Sequence, residues 1–171
     1  MTRAALRAIA TLALSIATVT TFQSCTGTPA PASDAATELG EVIAVVDGDT
    51  IDIRTDQGES RVRLIGLDTP EINRSGGNDE CYAQEARTEL DTMLYGRTVE
   101  LTTDPSQGDT DRYGRLLRHV TIDGQNAALT LIESGAAHEY TYDTPYLGQA
   151  EYQEAEAEAR TDALGLWSQC S

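Results

Sequence analysis

The sequence predicts an α+β domain dominated by a small β-barrel of five strands, with about three helices packed around it. Three observations predict it. Short alternating apolar and polar segments are separated by tight-turn residues, among them Asp47-Gly48-Asp49 and Asp56-Gln57-Gly58. A helical apolar period interrupts them once, after the third segment. The chain of 171 residues has the length of one domain with room for a core of its own.

The first 25 residues read as a targeting segment outside the fold. Arg3 and Arg7 form a positive start, and the apolar run from Ala8 to Phe22 is too short for a membrane span and right for a signal peptide. It ends in Phe22-Gln23-Ser24-Cys25, which resembles a lipoprotein signal in which Cys25 becomes the lipidated first residue. Ordinary cleavage near Ala30-Pro31-Ala32 is the competing reading. Residues 26–40 are rich in Thr, Pro, Ala and Ser and read as a flexible linker. The folded domain is expected over 41–171.

Within it, Glu41–Val46 is a strand, Asp47-Gly48-Asp49 a turn, and Thr50–Thr55 the returning strand. Ser60–Leu67 is the third strand, ended by Pro70, which lacks a ladder donor. A loop over 72–80 precedes a helix from Cys81 to Leu94, with Tyr82, Ala86, Leu90 and Met93 on its apolar stripe and Gly96 beyond its end. Arg97–Thr103 and Arg115–Ile122 are strands on either side of a polar loop. Asn126–Ser134 is a short helix stopped by Gly135. Glu-Ala repeats between Tyr146 and Leu164 have a strand-like period of two, but both residues are strong helix formers, so a helix is expected, with Leu147, Ala150, Ala157 and Leu164 buried. Trp167 is expected to plug the core, and His119 and His138 read as strand residues. Five strands with a helix after the third give the element order of an OB-fold barrel.

Charge narrows the functional classes. There are 28 acidic and 12 basic residues, a formal net charge of −16, and every cation is an arginine. So acidic a surface opposes non-specific binding of polyanions, which rests on displacing counterions with positive side chains. It favours solubility instead, as in proteins adapted to high salt. Handling a polyanion would therefore fall to a bound cation and a few placed arginines. With Cys25 assigned to the anchor, Cys81 and Cys170 remain as an even pair in an exported domain and are expected to form a disulfide, contributing about 4 kcal/mol on the loop-entropy model. Two free thiols are the alternative, and the spacing fits no zinc pattern.

The stretch Arg61-Val62-Arg63-Leu64-Ile65-Gly66-Leu67-Asp68-Thr69-Pro70-Glu71 carries the densest chemistry. Asp68 and Glu71 leave a strand end in a relation restrained by Pro70. Asp49 lies at a hairpin turn that antiparallel pairing can bring beside Asp68. Taken singly, Asp49 is a turn aspartate, Arg63 a solvated strand residue and Arg115 part of a turn. Together they offer what phosphodiester hydrolysis needs: oxygen ligands for a hard cation, a base, and planar guanidinium groups that match phosphate oxygens.

The combination Val-Asp-Gly-Asp-Thr, Arg-Leu-Ile-Gly-Leu-Asp-Thr-Pro-Glu, Asp-Arg-Tyr-Gly-Arg and Gly-Leu-Trp-Ser, in order from Glu41 to Ser168, resembles the thermonuclease family of micrococcal or staphylococcal nuclease-like domains. The resemblance implies a calcium-dependent nuclease acting on DNA and RNA, preferably single-stranded or frayed, and leaving 3′-phosphate ends. Asp49 and Asp68 would bind Ca²⁺ with their carboxylates and Thr69 with its carbonyl. Glu71 would activate water, while Arg63 and Arg115 hold the phosphate. Arg112 and Tyr113 would contact a terminal phosphate, and Tyr140 and Tyr142 would stack on bases. Arg112 stands where a lysine is expected. The expectation is a monomeric cell-surface lipoprotein, reaching the membrane through Cys25. A non-catalytic oligonucleotide- or protein-binding surface module is the alternative.

Overall fold

The computed structural model describes residues 35–170; the expected signal segment, Cys25 and the first part of the linker lie outside them. The barrel strands are β1 (Thr37–Val45), β2 (Thr50–Thr55), β3 (Gly58–Leu64), β5 (Thr98–Thr102) and β6 (Leu116–Ile122). Two-residue strands β4 (Leu67–Asp68), β7 (Gln125–Asn126) and β8 (His138–Glu139) are added at the rim. Helices α1 (Ala83–Leu94), α2 (Ala127–Glu133), α3 (Gln149–Thr161) and the single turn α4 (Leu166–Gln169) complete the domain. The order β3-β2-β1-β5-β6 is closed by a parallel pairing of β3 with β6, which makes the five long strands a barrel of the OB type.

Alternation decides which side chains enter the barrel. In β2, Ile51 and Ile53 are fully buried while Asp52 and Arg54 face out, and in β3 Val62 and Leu64 point in. Asp52 lies opposite Arg61 in the ladder and pairs with it at 2.7 Å. Leu90 and Leu94 of α1 and Leu131 and Ile132 of α2 close the core from outside. Each such side chain contributes about 1.5–3 kcal/mol of burial.

Several boundaries differ from expectation. The first strand begins at Thr37, inside the expected linker, because residues 37–41 pair with β5 down to Thr98. Leu39 there is exposed, so ladder bonds and not apolar burial extend the strand, and hydropathy could not reveal it. The third strand stops at Leu64, where Gly66 turns the chain with φ +90°. A Cβ at Gly66 would lie 2.6 Å from both the Tyr146 and Tyr152 rings.

Helix α1 starts two residues late because Tyr82 takes a left-handed conformation, φ 74°. Its buried stripe is Ala83, Ala86, Leu90 and Leu94; Tyr82 and Met93 are only partly covered. In α3 the buried residues are Tyr152, Ala155 and Ala159, and Leu147, Ala150, Ala157 and Leu164 are exposed. One large ring, Tyr152 packed on Tyr146 with centroids 5.2 Å apart, sets the helix's rotation. Trp167 is not a core plug; Leu166 is buried in its place. Trp167 lies half-covered between the edge of His138, centroids 4.7 Å apart, and the Arg160 guanidinium, 4.2 Å above its ring.

Cys81 and Cys170 are joined by a disulfide with Cα atoms 5.7 Å apart. Among the described residues no helix is long and apolar enough to cross a membrane.

Candidate active site

The hairpin turn after β1 and the end of β3 meet at one rim of the barrel. Gly48 makes the approach possible, since a Cβ there would lie 2.7 Å from Thr69 Oγ1 and 2.9 Å from Ala86 Cβ. Leu64 N donates to Asp49 O at 2.9 Å, fixing the turn against the strand. Beyond Gly66, β4 pairs with β8, with Asp68 opposite His138.

Arg63 knits these pieces together. Its Nη1 donates to Leu64 O at 3.1 Å and Leu67 O at 2.9 Å. Its Nη2 lies 3.0 Å from Asp49 Oδ2 and 2.8 Å from Asp68 Oδ1. Thr69 N and Oγ1 reach the same Asp49 Oδ2 at 3.4 Å. Asp49 is 5% exposed, and burial pushes its carboxyl up to about 7; Arg63 opposes that rise, and the neighbouring Asp47 adds to it. One guanidinium thus leaves this buried carboxylate short of positive charge.

That shortfall, with an all-oxygen donor set, fits a hard divalent cation. Asp49 and Asp68, both reached by Arg63 Nη2, present the carboxylates suited to hold it, and Thr69 adjoins Asp49. Among the described residues no three His, Cys, Asp or Glu side chains form a metal cage, so water would supply the remaining ligands.

The opposite wall comes from the loop before β6. Asp111 organises it, accepting from Tyr113 N at 2.9 Å and Arg115 N at 3.0 Å with Oδ1, and from Arg115 Nε at 2.6 Å with Oδ2. Burial works against ionising Asp111, but these bonds from Arg115 and Tyr113 prevail and hold its carboxyl below the usual range. Arg115 Nη1 donates to Thr50 Oγ1 at 3.3 Å, and Thr50 Oγ1 donates to Asp49 Oδ1 at 2.8 Å. The two walls are therefore joined through one hydroxyl.

Between them runs a cleft of about 630 Å³ lined by Arg63, Asp68, Glu71, Arg112, Tyr113, Arg115, Tyr140 and Tyr142, among others. Burial, then the charges of Asp47 and Asp68, raise the Glu71 carboxyl above its ordinary value. Arg112 Nη2 donates to Tyr113 Oη at 2.6 Å, and its guanidinium lies 4.7 Å over that ring. Tyr113, Tyr140 and Tyr142 are exposed, the last two with centroids 6.4 Å apart. The structure thus gathers the candidate ligands, arginines, acid and tyrosines around one cleft, with Asp49 and Thr69 buried behind it. The disulfide cysteines do not line it.

Sequence reasoning missed Thr50, Asp47 and Asp111 as members of the site. All three stand inside the motifs already singled out, Asp47 and Thr50 in Val-Asp-Gly-Asp-Thr and Asp111 in Asp-Arg-Tyr-Gly-Arg, but nothing there marked their contacts. Asp47 is 9% exposed and lies 3.5 Å from Arg74 Nη2, which also donates to Val46 O at 2.7 Å.

A family model described as staphylococcal nuclease homologue matches residues 61–169. Protein ParB of Escherichia coli is 35% identical over 150 residues, covering 80% of this chain and 77% of that protein. Thermonuclease of Staphylococcus hyicus is 31% identical over 136 residues, covering 80% and 79%. SPbeta prophage-derived endonuclease YokF of Bacillus subtilis is 32% identical over 127 residues, 72% of this chain but only 42% of that longer protein.

Proposed function

The chain belongs to the family of staphylococcal nuclease homologues, and on that footing we propose that this nuclease hydrolyses DNA and RNA at the 5′ P–O bond, with Ca²⁺ as cofactor, leaving 3′-phosphate ends. One observation carries the proposal. A single cleft is lined by Glu71, whose carboxyl has a raised pKa, and by Arg63, Arg115 and Asp68, with Asp49 buried behind it.

Glu71 holds a water and takes its proton as the oxygen attacks phosphorus. Arg115 binds the phosphate oxygens, and Arg63 would join it once a cation takes Asp49 and Asp68 from its Nη2; their fixed charges stabilise the negative charge that grows there. Arg115 also faces the leaving oxygen. Asp111 holds its Nε and Thr50 its Nη1, which leaves Nη2 to reach substrate. Asp49, Asp68 and the carbonyl of Thr69 would hold the cation, which would supply further charge neutralisation at the phosphate. Tyr113 and Arg112 receive a terminal phosphate at one end, and Tyr140 and Tyr142 offer faces to unpaired bases, which accounts for a preference for single-stranded or frayed substrate.

The acidic composition makes this binding local, confined to the arginines of the cleft. The N-terminal sequence supports export and anchoring through a lipidated Cys25, with the domain acting at the cell surface as a monomer. The decisive assay incubates the protein with single-stranded DNA with and without Ca²⁺. Cleavage that chelation abolishes, and that Glu71→Gln and Arg115→Ala each lower by orders of magnitude, is the expected result. Near-normal cleavage by both variants would sink the assignment.

A further inference from the structure

Glu71 begins a loop, residues 71–80, whose two ends are tied to each other. Glu80 N donates to Glu71 O at 3.0 Å, and Glu71 N donates to Glu80 Oε2 at 2.8 Å. One rung further out, Asn73 N donates to Asp79 Oδ1 at 2.8 Å, and Asp79 Oδ2 accepts from Gln84 Nε2 on α1 at 2.7 Å. Both rungs use a side-chain carboxylate where an antiparallel ladder would use a backbone carbonyl. On the other side of Glu71, Pro70 has its φ fixed by its ring. The backbone of Glu71 is thus held from both directions, although the residue is exposed.

Hydrogen bonds at an exposed site hold little unless something else keeps their groups together. Here the next residue, Cys81, is bonded to Cys170, 89 positions away. Cys170 ends α4, whose Leu166 is buried and donates its N–H to Gly135 O at 2.9 Å. Ala83 N, at the first turn of α1, donates to Glu80 O at 3.1 Å. Glu80 is therefore held next to a covalent anchor, with its carbonyl accepting from the helix start, and the far part of the loop is pinned where Arg74 reaches Val46 O.

We propose that Glu80 is a positioning residue for Glu71, and that the Cys81–Cys170 disulfide braces it in that role. The proposal rests on Glu71 being the group that activates water. Glu80 then acts on turnover by fixing the backbone from which the Glu71 carboxylate reaches its water, without touching substrate. A displacement of about 1 Å in such a group costs on the order of a hundredfold in rate.

The test is steady-state cleavage of single-stranded DNA with Ca²⁺ by Glu80→Ala, Glu80→Gln and the double variant Cys81→Ser/Cys170→Ser. Each is also made with Glu71→Gln, and all are assayed where circular dichroism shows them folded. Glu80→Ala is expected to lower kcat on the order of tenfold with KM unchanged within about twofold. Glu80→Gln, which keeps an oxygen to accept the Glu71 N–H, should retain most of the turnover. The double cysteine variant should lower kcat in the same direction by less. With Glu71→Gln already present, none of them should lower the residual rate further, which general loosening of the fold would do. Wild-type kcat in Glu80→Ala, or an added loss on top of Glu71→Gln, overturns the role of Glu80. Wild-type kcat in the double cysteine variant overturns the bracing. Should Glu71→Gln itself keep full turnover, the assignment of the base fails, and that of Glu80 with it.

Discussion

Arg115 and Asp49 meet through the hydroxyl of Thr50, which accepts from the arginine at 3.3 Å and donates to the aspartate at 2.8 Å. A hydroxyl can do both at once, and no apolar residue can do either. Thr50→Val keeps the shape and removes both bonds. Turnover should fall on the order of tenfold, and stability by about 1–2 kcal/mol, read from kcat and from urea unfolding.

Asp49 gives the ligand-free protein a distinctive response to pH. Its carboxyl is pushed up to about 7, so between about pH 4 and pH 7 the folded state binds more protons there than the unfolded chain, and stability falls as pH rises through that window. Asp111 is held low and loses its contribution only under more acid conditions. In chelator, Tm is expected to be higher at pH 5 than at pH 7.5. Added Ca²⁺ should raise Tm more at pH 7.5, because below about pH 7 the ion competes with a proton for Asp49.

Asp104 clasps the two loops that wall the cleft. Its buried carboxylate accepts from His119 Nε2 at 3.0 Å, Leu147 N at 2.8 Å, Ser106 N at 2.9 Å and Ser106 Oγ at 2.7 Å. Gln107 Nε2 and Thr144 Oγ1 add cross-links between the same loops, to Thr144 O and Ser106 O, both at 3.0 Å. Asp104→Ala leaves several donors without a partner and should cost about 3 kcal/mol or more in a thermal melt. KM should rise with it as the walls separate.

Tyr140 and Tyr142 are exposed and hold little of the fold together. Replacing both by Ala should leave Tm nearly unchanged and weaken oligonucleotide binding by about 1–3 kcal/mol per stacked base. Fluorescence titration with short single strands, using the Glu71→Gln protein in chelator to suppress cleavage, checks this directly.

Much of the barrel could be read from alternation and turn residues, because five short strands leave a period of two wherever one face is buried. Residues 61–71 likewise carry Arg63, Asp68 and Glu71 within one short stretch, so their shared location follows from closeness in sequence. The Asp49–Thr50–Arg115 link and the Asp104 clasp were illegible, since each depends on segments far apart in sequence arriving at one place. The buried face of α3 was misread for a different reason. Alternating Glu and Ala give almost no apolar contrast, and Tyr152, the one large ring on the buried face, lies off the stripe of Leu147, Ala150, Ala157 and Leu164. Trp167 shows the same limit, since how deeply a large ring is buried depends on what covers it.

The parallel pairing of β3 with β6 sets Val62, Arg63 and Leu64 against Leu116, Leu117 and Arg118, so the strand that carries Arg63 and the strand that follows Arg115 form the last seam of the barrel. Long-range closures of this kind come late in folding because the intervening chain must first be ordered. A half-folded molecule could already have its β1–β2–β3 meander, with Asp49, Arg63 and Asp68 in place, yet lack Arg115 across the cleft. Recovery of cleavage during refolding would then lag behind recovery of secondary structure, and enzymatic rate becomes a stopwatch for the moment the barrel shuts.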